Sequence, residues 1–364
     1  MQVAFRADAS PVLGGGHLMR CLALAQALAE RGARSWFIAA ALPDALAATL
    51  RAAGHRLVVI GSPPETPLAG AWPAGDQAAD AAASLEALGE TRPDWVIVDH
   101  YGLGSAWEQA ARAGGATVLV IDDLADRPHD CDLLLDMTLG RAAADYAPLT
   151  PPKCTILAGP GYAPLRPAFA AARPASLARR AAHQSPARRL LISLGQMDHG
   201  GHTAITVRAA AACAELERID VVFGASTAPS LGQVRGHAAR DRRIVIHGAL
   251  DASAMAHLMT AADLAIGAAG STAWERCCLG LPTIALVLAD NQRMIAHSLR
   301  TAGVAQLAEP DEHGLALQIA NLAHDAPGLR RMGEAAAAVT DGQGAARVIQ
   351  KMAQIMAGGA EERA

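Results

Sequence analysis

Positions 8–17 read Asp8-Ala-Ser-Pro-Val-Leu-Gly14-Gly15-Gly16-His17, placing a carboxylate, a glycine triplet and an imidazole in one short loop ahead of an apolar helical stretch. Glycines let a ligand approach the backbone closely, and a helix start offers unpaired N–H groups to an anion. At that helix start the positive end of the dipole disfavours an imidazolium, so His17 has the character of a neutral general base. The same residues also suit a turn that needs left-handed conformations, with His17 as a capping or packing residue. A dinucleotide fingerprint is excluded: Met19 stands where the third glycine belongs, and the next strand leads with Arg34 and Ser35 rather than a ribose-binding acid.

Two further apolar runs end in polar clusters, Asp99-His100-Tyr101 after WVIVD and Asp122-Asp123 after TVLVI. Such residues can orient sugar hydroxyls, accept protons or hold a metal. Asp130-Cys131-Asp132 precedes a strand instead of following one, which argues against a metal site there. In the second half, Leu191-Ile-Ser-Leu-Gly195 runs into a glycine turn, and residues 262–275 read strand, small-residue turn Gly270-Ser271-Thr272, then helix with Glu275. Thr272-x-x-Glu275 fits a capping box. The same arrangement presents Ser271 and Thr272 to a diphosphate and Glu275 to the hydroxyls of a ribose. Asp290-Asn291-Gln292 follows the next strand.

These residues sit where alternating apolar runs and Ala/Leu-rich stretches put them. The alternation predicts parallel βαβ units, with strands at 3–6, 35–39, 56–60, 95–99, 117–122, 133–136 and 155–158, then 189–194, 218–223, 243–247, 264–267 and 283–288. The fold class is α/β, two Rossmann-like domains expected to face a cleft, with ligands outside the carboxyl ends of the strands. The N-terminal domain is placed at 1–171 and a linker at 172–188, its arginines read as a solvated helix face. The C-terminal domain follows at 189–340, then a helix at 341–357 and a frayed tail at 358–364.

Composition narrows the function classes. Of 364 residues, 31 are Lys or Arg and 35 Asp or Glu, a net charge of −4 without a basic stripe, which argues against a nucleic-acid partner. No apolar run reaches the ~18 residues of a membrane span and the start lacks a secretory pattern, so a cytoplasmic protein without a membrane partner is expected. Six cysteines without zinc spacing read as buried thiols.

The segments FRADASPVLGGGHLMRCLALA, VDHYG, DDLADRPHDCDLLLD, LAGPGYAPLRPAF and AGSTAWERCCLGLPTIALVLADNQ, spread over residues 5–292, resemble the UDP-2,4-diacetamido-2,4,6-trideoxy-β-L-altropyranose hydrolase family of pseudaminic acid biosynthesis. The resemblance implies a glycosyltransferase-B-type fold and inverting hydrolysis of the sugar C1–O bond of a small-molecule UDP-sugar, without metal or other cofactor. It implies His17 as the base that deprotonates water, Tyr101 and Asn291 near the reacting centre, and Ser271, Thr272 and Glu275 at the UDP. Asp8, Gly14, Gly15, Gly16, Arg20, Asp99, Gly195, Gly270 and Gln292 complete the expected substrate contacts. The chain departs from the family pattern at Gln196 and His202, which leaves that loop's contacts open, as are the oligomeric state and the sugar stereochemistry. An inverting glycosyltransferase of the same architecture would use His17 on a sugar hydroxyl instead of water, and a nucleotide-sugar-binding module would need no such histidine.

Overall fold

Strand β1 (Gln2–Ala7) opens a sheet that continues with β2 (Arg34–Ala39), β3 (Arg56–Val59), β4 (Trp95–Asp99), β5 (Thr117–Ile121), β6 (Leu133–Asp136) and β7 (Thr155–Ala158). A second sheet contains β8 (Arg189–Ser193), β9 (Arg218–Val222), β10 (Ile244–His247), β11 (Leu264–Ala268), β12 (Thr283–Leu286) and β13 (Ala305–Ala308). The structure, a computed structural model, describes residues 1–10, 14–61, 72–182, 186–195, 198–224 and 228–361. The expected loop residue Gln196, residues 183–185 of the expected linker and the last three tail residues lie outside these.

Every pairing in both sheets is parallel, in the orders β3-β2-β1-β4-β5-β6-β7 and β10-β9-β8-β11-β12-β13. Both contain the doubly wound order, in which the direction of winding reverses beside the first strand. The reversal falls between β1 and β4 in one sheet and between β8 and β11 in the other. Central strands are covered on both faces by helices and therefore read as unbroken apolar runs. All of β4, Trp-Val-Ile-Val-Asp, and all of β11, Leu-Ala-Ile-Gly-Ala, is buried.

Strand β13, Ala-Gln-Leu-Ala, went unpredicted because it is a short edge strand with no β-branched residue and only its first position buried. The expected strand at 243 starts one residue later, because the Arg243 amide turns to Asp241 and its guanidinium donates to the carbonyls of Ala211, Cys213 and Leu216.

The chain divides into two compact units, Met1–Pro164 with Gln343–Ala364, and Leu165–Gly342. The division differs from a boundary at 172–188. That stretch belongs largely to the helix Pro167–Ala182, which tolerates Pro174 in its interior. Arg173 and Arg180 are not part of a solvated face, whereas Arg188 is exposed. Arg173 donates to the carbonyls of Cys278, Ala337 and Thr340, and Arg180 to those of Met259, Ala262 and Leu279. These carbonyls lie at or just past the ends of three helices, where unpaired C=O groups need donors. Burial pushes the Arg180 guanidinium down to about 9.

The last helix, Gly344–Glu361, runs into the stretch expected to fray as far as Glu361. It packs in the first unit, where Arg347 donates to the Gly161 carbonyl at 2.9 Å. A Cβ at Gly344 would lie 2.2 Å from the Ala163 carbonyl oxygen, so only glycine allows this close approach.

Candidate functional site

In the first unit, the loop after β1 and the end of β4 meet at the point where the sheet reverses. Register places Ala7 beside Asp99, and the helix Gly16–Ala29 starts one residue before His17. His17 is 5% exposed, with Nδ1 2.5 Å from Asp99 Oδ1. Arg20, one turn along the helix, grips the same carboxylate with two bonds of 2.6 Å from Nε and Nη2, and reaches Asp123 Oδ2 at 2.8 Å through Nη1. Burial would raise the Asp99 carboxyl, but the charges of Arg20 and His17 outweigh it and hold the group well below the usual carboxylate range. An ionised Asp99 accepts the Nδ1–H of His17, which leaves Nε2 as the basic nitrogen. The edge of one ring meets the face of the other between His17 and Tyr101, with centroids 4.5 Å apart. An imidazole, a carboxylate that fixes its orientation and an adjoining phenol are thereby brought together from the helix Gly16–Ala29 and the end of β4.

Asp8 has a different place. Fully buried, it accepts from Arg6 Nη1 at 2.6 Å and from the amides of Ala40 and Ala41, tying the end of β1 to the end of β2. His100 accepts the Gly102 amide at Nδ1, so its proton is on Nε2, 3.3 Å from Asp8 Oδ2. Despite burial, His100 and Arg6 hold the Asp8 carboxyl well below its ordinary range. Asp8 Oδ1, on a residue expected to contact substrate, is thus engaged by the protein's own groups, while the buried Oδ2 makes no hydrogen bond among the described residues and faces His100 Nε2.

Of the glycine triplet, Gly14 alone has a positive φ, +74°, and its amide closes a turn onto the Ser10 carbonyl at 2.8 Å. Gly15, with φ −105°, has a conformation open to other residues, and Gly16 is the first helical residue.

Asp122 and Asp123 part company. Asp122 accepts the amides of Leu124 and Ala125 and the Tyr146 hydroxyl, and pairs with Arg127 at 2.9 Å. Asp132 likewise holds the Val118 amide and Arg112. Both carboxylates are engaged in structural bonds. Asp123 instead extends the His17–Asp99–Arg20 network.

In the second unit, β11 leads through Gly270 into the short helix Thr272–Cys278. The capping box expected of Thr272 and Glu275 does not form. Ser271 is the N-cap and makes no side-chain cap bond, which puts Thr272 inside the helix and Glu275 out of capping register. Thr272 Oγ1 accepts from Arg276 Nη1 at 3.2 Å, and Glu275 Oε1 accepts from Arg166 Nη2 at 3.0 Å. Burial raises the Glu275 carboxyl above its ordinary value against the pull of Arg166 and Arg276. Gln292 Oε1 takes the Leu288 amide at 3.0 Å, folding the loop after β12 beside Gly270. Asn291 is exposed in the same turn, Asp290–Gln292.

Gly195, two residues past the end of β8, has φ +102°. Beyond it Asp198, 8% exposed, accepts the Thr203 hydroxyl at 2.8 Å, the Ser230 amide at 3.1 Å and the Ser230 hydroxyl. It fixes the loop after β8 to the loop after β9.

His17, Arg20, Asp99 and Tyr101 therefore gather in the first unit. Gly270, Ser271, Thr272, Glu275, Asn291 and Gln292 lie at the carboxyl ends of adjacent strands of the second. Arg166, Asp198 and Arg276 were missed: Arg166 meets Glu275 109 positions away and Asp198 meets Ser230 32 away, while Arg276, whose partners Ala268 and Thr272 are near in sequence, carries no recognisable pattern.

No protein-family model matches the chain. A curated relative, the UDP-2,4-diacetamido-2,4,6-trideoxy-beta-L-altropyranose hydrolase of Campylobacter jejuni, is 28% identical over 171 residues, 46% of this chain. The match spans about half, 53%, of that relative's length. Among solved structures, MurG of Acinetobacter baumannii aligns with a TM-score of 0.65 at 15% identity, covering 97% of this chain and 99% of that one. The UDP-GlcNAc 2-epimerase of Neisseria meningitidis bound to UDP-GlcNAc aligns at 0.63 and 13% identity, covering 97% and 100%. A Staphylococcus aureus MnaA–UDP co-structure aligns at 0.61 and 14% identity, covering 96% and 95%. The likeness at these identities is one of fold, two Rossmann-like α/β domains.

Proposed function

We propose that the protein hydrolyses a UDP-linked 2,4-diacetamido-2,4,6-trideoxy sugar at its C1–O bond with inversion, and that the sugar is the β-L-altropyranose. The observation that carries this reading is the His17–Asp99 pair at the reversal point of the first sheet, with Nδ1 and Oδ1 2.5 Å apart. The partial likeness to the Campylobacter jejuni hydrolase supplies the substrate class. Two of the similar folds were solved with UDP or UDP-GlcNAc, in keeping with a uridine nucleotide as ligand.

In this mechanism Nε2 of His17 takes a proton from water as the water oxygen bonds to C1. The C1–O bond to UDP breaks with its electron pair passing to the β-phosphate oxygen, and the transition state has oxocarbenium character. Asp99 stabilises the imidazolium that forms and Arg20 holds Asp99 in place. Tyr101 sets the tilt of the His17 ring. Ser271 and Thr272 bind the diphosphate and Glu275 the ribose hydroxyls. The step is written without a divalent ion: Asp122, Asp123 and Asp132 are each paired with an arginine.

A panel of UDP-linked diacetamido sugars tests the reading through UDP release and identification of the sugar. The expected result is turnover of the L-altro compound in buffer and equally in EDTA. Loss of turnover in EDTA, restored by magnesium or manganese, would contradict the metal-free step. Turnover that requires an added sugar acceptor would make the protein a glycosyltransferase.

A further inference from the structure

Arg276 is 3% exposed, yet among the described residues no carboxylate lies within ion-pair distance of its guanidinium. Nη2 donates to the Ala268 carbonyl at 2.7 Å and Nη1 to Thr272 Oγ1 at 3.2 Å, while the buried Nε has no hydrogen-bond partner. The adjacent Glu275 is bonded to Arg166. Glu275 is thus taken by Arg166, and Arg276 keeps its charge in the interior with neutral hydrogen-bond partners alone.

The backbone is built around this side chain. A Cβ at Gly267 would stand 2.4 Å from Arg276 Nη1 and 2.7 Å from Cζ, so the glycine in the middle of β11 leaves the space the guanidinium fills. Glycine weakens a strand interior, and its use there commonly marks a close approach. An uncompensated buried charge is expensive to keep when two neutral hydrogen bonds could be made by an amide. Its retention is explained by a counter-charge that arrives with a ligand.

We infer that Arg276 is a positioning residue for the diphosphate of a nucleoside diphosphate bound at the Gly270-Ser271-Thr272 turn. This rests on the UDP-sugar reading and extends it. By donating to Thr272 Oγ1, Arg276 occupies a lone pair of that hydroxyl and leaves its proton to be given to a phosphate oxygen. Its own charge supplies the electrostatic attraction through the thickness of the turn. Burial pushes the guanidinium down to about 10, so it remains charged at neutral pH.

The test is calorimetric titration of the full chain and its Arg276→Gln, Arg276→Lys and Gly267→Ala variants with UDP and, separately, with uridine. Gly267→Ala keeps the arginine but denies it its place, and so decides the matter even where Arg276→Gln folds poorly. The expected result is a loss of UDP affinity of about 10- to 100-fold in Arg276→Gln and Gly267→Ala, with uridine affinity unchanged and Arg276→Lys intermediate. Unchanged UDP affinity in the folded variants, or an equal loss for UDP and uridine, overturns the inference by reducing Arg276 to a structural tie. Failure of the unaltered protein to bind UDP would instead overturn the UDP-sugar reading, and the inference with it.

Discussion

At the scale of single residues, the polar network of the first unit converges on one carboxylate. Asp99 accepts both Arg20 and His17. Replacing His17 by Leu is expected to leave the fold intact and lower kcat by about 10²- to 10⁴-fold, measured as UDP release. Asp99→Asn reverses the polarity at Nδ1 and favours the tautomer whose Nε2 already carries a proton, so kcat should fall by at least about 10²-fold. The same substitution leaves Arg20 without its buried partner and should destabilise the protein by about 3–5 kcal/mol near neutral pH. Because the folded-state Asp99 titrates below its unfolded value, the stability it contributes is complete above about pH 4 and is lost as pH falls further. Urea unfolding from pH 7 to pH 2 should therefore show the gap between wild type and Asp99→Asn narrowing below about pH 4. A gap that stayed constant to pH 2 would mean that Asp99 is not ionised by these partners. The sequence marked His17 at a helix start and Asp99 and Tyr101 after a strand, with Arg20 added among the expected substrate contacts, but not who would pair with whom. Asp8 and Asp99 follow similar apolar runs, and only the neighbouring Arg6, His100 and backbone amides turn Asp8 inward.

At the scale of elements, strands were legible because buried parallel strands are continuous apolar runs, as β4 and β11 show. The edge strand β13 lacked that signal. Helix boundaries misled where proline and arginine suggested a linker. In the helix Pro167–Ala182 these arginines act as donors to the ends of other helices, a role that depends on residues roughly 80 to 170 positions away and so leaves no local pattern. Arg173→Ala removes three such bonds and is expected to lower the stability of the second unit by about 3 kcal/mol, since bonds to a charged donor contribute about 1.5–3 kcal/mol each and water replaces part of them. Chemical denaturation reads this, while the affinity for UDP should remain within a factor of about two. A variant that unfolds like wild type would show those bonds to be surface decoration.

For the whole molecule, the alternation of strands and helices announced two doubly wound units, and each sheet has the expected reversal. Their division was less legible, because the C-terminal helix Gly344–Glu361 returns to the first unit, held through Gly344 and Arg347. Hydrogen exchange of the full chain with and without UDP should show new protection in the loops after β8, β11 and β12, on the second unit. Protection confined to the first unit would misassign the nucleotide.

The central claim is that water, deprotonated by His17, attacks the anomeric carbon. It is tested most directly by running the reaction with the UDP-linked 2,4-diacetamido-2,4,6-trideoxy-β-L-altropyranose in ¹⁸O-labelled water and following both products by mass spectrometry and NMR. The account predicts label on C1 of the released sugar, unlabelled UDP and an inverted first-formed anomer. Label recovered in UDP would place the attack at phosphorus and contradict it.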